Sequence, residues 1–104
     1  MERVIVKKNG YGYNLAFNIT DDNDNPKDIL GYTLVLQVWD EYAPGTVKWT
    51  LTGAIIDAEG GLADFAVVAG DFNEAGVFLG QIELTKAGVV EPGDTYQLIV
   101  KDGP

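Results

Sequence analysis

The residues of this chain that could do chemistry are concentrated in one short stretch, DDNDNPKD at positions 21–28, with four aspartates and two asparagines. Carboxylate and amide oxygens are ligands that calcium accepts. The candidate metal ligands are Asp22, Asp24 and Asp28. The EF-hand spacing fails, however, because counting from Asp21 puts Pro26 where glycine is required and Tyr32 where the bidentate glutamate belongs.

The same composition also suits a plain turn between two strands. Asp and Asn tolerate left-handed backbone conformations and hydrogen-bond their own backbone. Pro26 would set the geometry of the turn, and Asp28 would bond the backbone that leads into the next strand. We favour the solvated turn and expect no cofactor, because the ligand types are present while the known spacing is absent.

The rest of the composition argues against an enzyme. The sequence contains no cysteine, histidine or serine, so it lacks a Ser or Cys nucleophile, a His base and the commonest transition-metal ligand. Paired carboxylates could in principle hydrolyse glycosides. With sixteen acidic residues such pairs arise by accident, and nothing in the sequence marks one of them as a proton donor in an apolar pocket.

The charge balance restricts the partners. Seven basic and sixteen acidic residues give a net charge of −9, which repels phosphate backbones and anionic lipid surfaces. The sequence has no apolar run as long as a membrane span, and its first ten residues do not form a signal peptide. We therefore expect a folded acidic domain that binds no nucleic acid and does not insert into a membrane.

Hydrophobic periodicity indicates the elements that must carry any site. Large apolar residues recur at every second position, which is typical of half-buried strands, and no window favours a helix beyond a single turn at 71–76. Turn residues separate short strands at roughly ten-residue spacing. The sequence predicts an all-β fold, an immunoglobulin-like antiparallel β-sandwich of seven or eight strands, forming one domain over residues 1–104.

Two tryptophans have opposite parity in this pattern. Trp49 alternates with Val47 and Leu51, which predicts a place in the core. Trp39 has the parity of Val35, so it points outward or under a loop. The opposite parity is that of Leu34, Leu36 and Val38. A contact patch for a protein or a sugar and a simple cover for the edge of the sandwich both fit that position. The predicted interface residues are Trp39, Tyr42 and Val35.

The order of features resembles the N-terminal immunoglobulin-like domain of phage baseplate upper proteins. The resemblance covers nearly the whole chain. It lies in the apolar alternation at 13–19 before the Asp-rich turn, the segment 25–31 leading into the strand at 32–39, the hairpin glycine Gly60, and 71–76 preceding 77–82. Phe78 stands where a tyrosine would form the corner hydrogen bond of immunoglobulin domains.

This resemblance implies a non-catalytic module that docks neighbouring subunits of a phage or prophage tail or baseplate. The partners would be other virion tail proteins, with self-association into a homo-oligomer as an option. The protein would be made in the bacterial cytoplasm and reside in the virion. The Gly103-Pro104 end is compatible with an N-terminal module of a longer protein.

Two other functions remain open. In a carbohydrate-binding module, Trp39 and Tyr42, with Tyr32 as a third member, would form a stacking platform for sugar rings. In a calcium-regulated module, the aspartate stretch at 21–28 would hold the ion. Tryptophan fluorescence during sugar titration tests the first, and a calcium-dependent melting shift tests the second.

Overall fold

The computed structural model describes residues 2–21, 23–43 and 45–102. Its regular elements are seven strands, and no helix occurs within those ranges. The strands are β1 (Glu2–Lys7), β2 (Tyr13–Asn18), β3 (Thr33–Asp40), β4 (Val47–Asp57), β5 (Leu62–Val67), β6 (Gly76–Lys86) and β7 (Val89–Lys101). The all-β prediction is confirmed.

The seven strands form one continuous sheet in the order β1-β7-β6-β3-β4-β5-β2. The predicted antiparallel pairing holds for five of the six strand pairs, whereas β1 runs parallel to β7. These two strands come from opposite ends of the chain, so no hairpin forces them to be antiparallel. The sheet is therefore mixed, and β1 and β2 are its two edges.

Strand β4 joins two halves of the sheet. Its first part pairs with β3 as far as Thr52, and its second part pairs with β5 from Gly53 onward. We call β1, β7, β6, β3 and the first part of β4 the larger half, and the second part of β4 with β5 and β2 the smaller half. Strand β4 is continuous from Val47 to Asp57 and therefore belongs to both halves.

The sheet curls until its two ends face each other across one core. Phe17 of β2 and Tyr96 of β7 lie at nearly opposite ends of the strand order, yet their ring centroids are 4.7 Å apart. Phe17 also meets Phe65 edge-on at 5.5 Å. Every second side chain of β3 is buried, namely Leu34, Leu36 and Val38. The predicted alternation therefore fills the interior, and Trp49 is buried there as expected.

Strands β6 and β7 form a long hairpin that the sequence pattern missed. Ala87 and Gly88 both have positive φ, 52° and 81°, as in the turns that match the twist of hairpin strands. Strand β7 begins at Val89, directly after this turn. The early part of β7 contains Pro92 beside a register shift, which hides the alternation.

The segment before β6 does not form the helical turn that its residues suggested. Phe72 has a φ of 52° and is fully buried, with its ring 5.2 Å from that of Trp49. Glu74 does not cap a helix but pairs with Lys48 at 2.6 Å. The contact of Phe72 with the core therefore prevails over the local tendency of residues 71–76 to form a helical turn.

Candidate functional site

The aspartate stretch folds as a hydrogen-bonded turn at the end of β2. Oδ1 of Asp21 accepts the backbone N–H groups of Asn23 at 2.9 Å and Asn25 at 3.0 Å. Asp24 adopts a φ of 62°, the left-handed conformation that Asp tolerates. Oδ1 of Asp28 accepts the N–H of Leu30 at 3.0 Å, which confirms the expected bond to the backbone leading into β3.

The candidate metal ligands can be located only in part. Asp22 lies outside the described residues, whereas Asp24 and Asp28 are both exposed. Among the residues that the structure describes, no group of three or more His, Cys, Asp or Glu side chains converges as a metal site requires. The described part of this stretch has the geometry of a turn.

A polar cleft of about 280 Å³ lies between this turn and the β6–β7 hairpin. Its lining residues are Ile19, Thr20, Asp21, Lys27, Leu84, Glu91, Pro92 and Gly93. Nζ of Lys27 lies 3.3 Å from the Glu91 carboxylate, which also accepts the hydroxyl of Tyr32 at 3.4 Å. The side-chain hydrogen bond from Glu91 raises the pKa of Lys27 above its ordinary value.

The lysines at this cleft contact neighbouring side chains and the backbone. Nζ of Lys27 and Nζ of Lys86 lie 5.5 and 5.2 Å from the ring centroid of Tyr32. The Lys86 ammonium also donates to the carbonyl of Leu30 at 3.1 Å. Lys27, Lys86, Tyr32 and Glu91 are therefore joined in one network of ion-pair, hydrogen-bond and cation–π contacts beside the cleft.

The outer face of the larger half carries a continuous set of large apolar side chains. In the strand ladders Ile5 lies opposite Ile99 and Ile99 opposite Val77, while Leu79 lies opposite Trp39 and Trp39 opposite Val47. Directly opposed residues share a face of the sheet. We call this set the apolar band, comprising Ile5, Ile99, Val77, Leu79, Trp39 and Val47.

The apolar band crosses all five strands of the larger half and is open to solvent. Ile5 is 58% exposed, Val47 45% and Val77 39%, and Trp39 and Leu79 are half-buried. A single exposed apolar residue is ordinary, whereas a contiguous set marks a contact surface. The outward side chains next along the face are polar, including Gln37, Gln81 and Thr50.

The three predicted interface residues have different positions relative to this band. Trp39 lies near its centre, between Leu79 and Val47. Val35 shares the outer face but stands four residues away along β3, about 13 Å, with Gln37 between them. Tyr42 is 89% exposed in the turn that follows β3. Trp39 is thus joined by apolar partners from other strands and not by Val35.

Five of the six band residues were missed by the sequence reasoning, although a signal for most of them was present. Alternation marks a strand with one buried face, whereas an unbroken apolar run marks a strand that is apolar on both faces. Such runs occur at 4–6, 77–79 and 98–100. The runs at 4–6 and 98–100 each have one band residue at an outward position, and the run at 77–79 has two.

The three aromatics proposed for a sugar platform do not come together. Tyr32 precedes β3 and Trp39 lies near the end of that strand, seven residues on and therefore about 20 Å away. Lys27 and Lys86 also lie over the ring of Tyr32. A platform would have to consist of Trp39 and Tyr42 alone.

No protein-family model matches this chain, and no curated protein matches it in sequence. Within the described ranges, the chain has no helix with the length and hydropathy needed to cross a membrane.

Proposed function

We propose that this chain is a non-catalytic assembly module that docks neighbouring protein subunits through the apolar band. The band is the single observation that carries the proposal, because it spans five strands and has a tryptophan near its centre. Tryptophan and contiguous apolar surface are both enriched where proteins meet. The absence of histidine, serine and cysteine from the sequence supports a role without catalysis.

The setting of this role follows from the sequence resemblance. We propose an immunoglobulin-like domain of a phage or prophage tail or baseplate protein, made in the bacterial cytoplasm and resident in the virion. Parallel pairing between the first strand and the last supports such a fold, as does the buried core shared by the two halves. The neighbouring subunits would be tail components, including further copies of this chain.

The first test is the native mass of the chain by light scattering over a range of concentrations, for wild type and three variants. Trp39→Ala and Leu79→Ala each remove a band side chain. Leu62→Ala is the matched control, since Leu62 is also a half-buried leucine but lies on the outer face of the smaller half. We expect association in wild type and Leu62→Ala, and its loss in the two band variants.

The outcomes separate the roles of Trp39. A trimer or hexamer that depends on Trp39 and Leu79 supports assembly, because tail devices have those symmetries in the proposed family. If Trp39→Ala unfolds far more readily than wild type while association is unchanged, then Trp39 stabilises the fold and the docking role is wrong.

The alternative function is a carbohydrate-binding module, favoured by the 89% exposure of Tyr42 three residues after Trp39. Stacking on a sugar ring would change tryptophan fluorescence, and Tyr42→Ala would remove that change. A monomeric chain whose fluorescence responds to a polysaccharide would favour this alternative. The absence of any response across common polysaccharides would count against it.

A further inference from the structure

Strand β1 is a free edge of the sheet at one end of the apolar band. It pairs with β7, and no other described strand lies on its second side. A free edge presents backbone N–H and C=O groups that can pair with another chain. Ile5, a band residue that is 58% exposed, lies at the middle of this strand.

The outward side chains of β1 form a basic strip on an acidic protein. Arg3 and Lys7 lie two residues to either side of Ile5 on the same face, and Lys7 is directly opposite Lys101 of β7. All three basic residues are exposed, and none forms an ion pair with another described side chain. Like charges that lie opposite each other on neighbouring strands are destabilising. Acidic side chains of a partner would relieve this repulsion.

The other four lysines are already engaged. Lys8 pairs with Asp102, Lys27 with Glu91 and Lys48 with Glu74, and Lys86 donates to a backbone carbonyl. Apart from Lys86, the basic side chains without a carboxylate partner therefore all lie beside the open edge of β1, in a molecule with a net charge of −9. A partner that approaches this edge with carboxylates meets charge complementarity there and repulsion elsewhere.

The same strip opposes pairing between two copies of β1. In an antiparallel pair centred on Ile5, Arg3 of each copy would lie opposite Lys7 of the other. In a parallel pair in register, each basic residue would face its own counterpart. Both arrangements put like charges directly opposite, which disfavours the self-pair and leaves the edge to a different segment.

We propose that the free edge of β1 takes up an extended segment of a partner protein, added as a further strand, with an apolar side chain opposite Ile5 and acidic side chains opposite Arg3 and Lys7. This inference deepens the docking function proposed above and rests on it. The added strand extends the apolar band from five strands to six. Backbone hydrogen bonds supply affinity, and the acidic-apolar-acidic spacing supplies specificity.

A short synthetic peptide tests this inference directly. The probe has isoleucine at its centre, glutamate two positions away on both sides, valine between them and threonine at both ends. Three comparisons are informative: the same peptide with lysine in place of glutamate, the same peptide N-methylated at alternate residues, and the first peptide at raised salt. Binding to the full chain is followed by chemical shifts of the backbone amides.

The matched variants place equal charge changes on the two edges. Arg3→Gln with Lys7→Gln removes two positive charges from β1, and Asn14→Asp with Asn18→Asp adds two negative charges to β2, so each variant changes the net charge from −9 to −11 (−9 − 2). Strand β2 is the other free edge, and its sequence YNLAFN contains no charged residue. The second variant therefore controls for overall charge and for edge modification.

We expect the glutamate peptide to shift amide signals in Glu2–Lys7 and to bind more weakly as salt rises. The lysine and N-methylated peptides should not bind. The β1 variant should lose about fivefold in affinity, as expected for two cross-strand charge pairs, and the β2 variant should lose less than about twofold.

Equal binding of the lysine peptide, shifts confined to β2, or no binding of the glutamate peptide would overturn the inference. Failure here is distinguishable from failure of the docking function. If Trp39→Ala abolishes association in light scattering while the peptide does not bind, the apolar band remains a docking surface and only the strand addition at β1 is wrong.

Discussion

The two outer faces of the curled sheet carry different side chains although β4 runs through both. On the larger half, five strands contribute the apolar band. On the smaller half, the outward side chains that pair between strands are small or polar apart from Leu62, namely Asn14, Ala16, Asn18, Ala54, Asp57, Asp64 and Ala66. One large apolar residue, Ile56 at the register shift of β4, is also exposed there, at 56%. Both faces lie behind the same core, so the need for stability does not account for the difference.

This contrast separates residues that fold the chain from residues that would face a partner under the proposed docking function. The interior takes its apolar side chains from both halves, as the contact between Phe17 and Tyr96 demonstrates. A second apolar layer on the outside contributes little to that interior and exposes the molecule to unwanted association. The proposed docking contact, which the smaller half would not make, therefore best explains why this apolar layer is restricted to the larger half.

The largest expected effect comes from the residue that closes the two halves on each other. Phe17 is 4% exposed and touches the rings of Phe65 and Tyr96. We expect Phe17→Ala to lower the free energy of unfolding by about 3–5 kcal/mol, measured by urea denaturation, because it leaves a cavity between the halves. Asn18→Ala, an exposed neighbour, should change it by less than about 0.5 kcal/mol. A loss below about 1 kcal/mol for Phe17→Ala would mean that this contact does not hold the halves together.

A somewhat smaller effect is expected at the junction within β4. A Cβ added at Gly53 would lie 2.7 Å from the Phe65 ring and 2.8 Å from Cβ of Leu34. Gly53→Ala should therefore cost about 1–3 kcal/mol through overpacking. At Gly45 an added Cβ meets nothing within 4 Å, so Gly45→Ala should leave the unfolding midpoint unchanged or slightly raised. Equal behaviour of the two variants would contradict a close approach at the junction.

Two leucines placed on the outer face of the smaller half test whether the small and polar residues there prevent association. Asn14 lies opposite Ala66, and both are exposed. Asn14→Leu with Ala66→Leu should change stability by less than about 0.5 kcal/mol. It should also make the native mass rise with concentration beyond that of wild type, because a new apolar pair is exposed beside a free edge. Asn14→Gln with Ala66→Ser is the control, and light scattering is the measurement.

The smallest expected effect concerns the ion pair in the polar cleft. The pKa of Lys27 is raised by its hydrogen bond to Glu91, so its folded value lies above its unfolded value. The stability from this pair is then fully present below pH of about 10.4 and is lost as the pH rises through the folded pKa. Both side chains are partly exposed, at 29% and 43%, so the pair is worth at most about 1 kcal/mol.

Lys27→Met should reveal this pH dependence. The stability difference between wild type and variant in urea denaturation should be constant from neutral pH to about pH 10 and should shrink at more alkaline pH. A difference that instead grows above that pH would contradict the direction of the Lys27 shift.

Much of the fold could be predicted from the sequence because strands leave a local signal. The alternation of Leu34, Leu36 and Val38 predicted their burial, and the opposite parities of Trp39 and Trp49 predicted one outward and one buried ring. The Asp28 bond to the chain before β3 was also predictable, since it depends on neighbours two residues apart. The β6–β7 hairpin was not predicted, because Pro92 and a register shift interrupt its alternation.

The sequence analysis found only one member of the candidate site. The sequence by itself determined that Trp39 is outward, because parity along a strand is a local property of the backbone. Only the tertiary structure decided which side chains surround it. Leu79 and Val47 reach Trp39 through cross-strand pairing, and Ile5 joins the band because the first strand lies parallel to the last. Strand order depends on packing across the whole core, so no local pattern contains it.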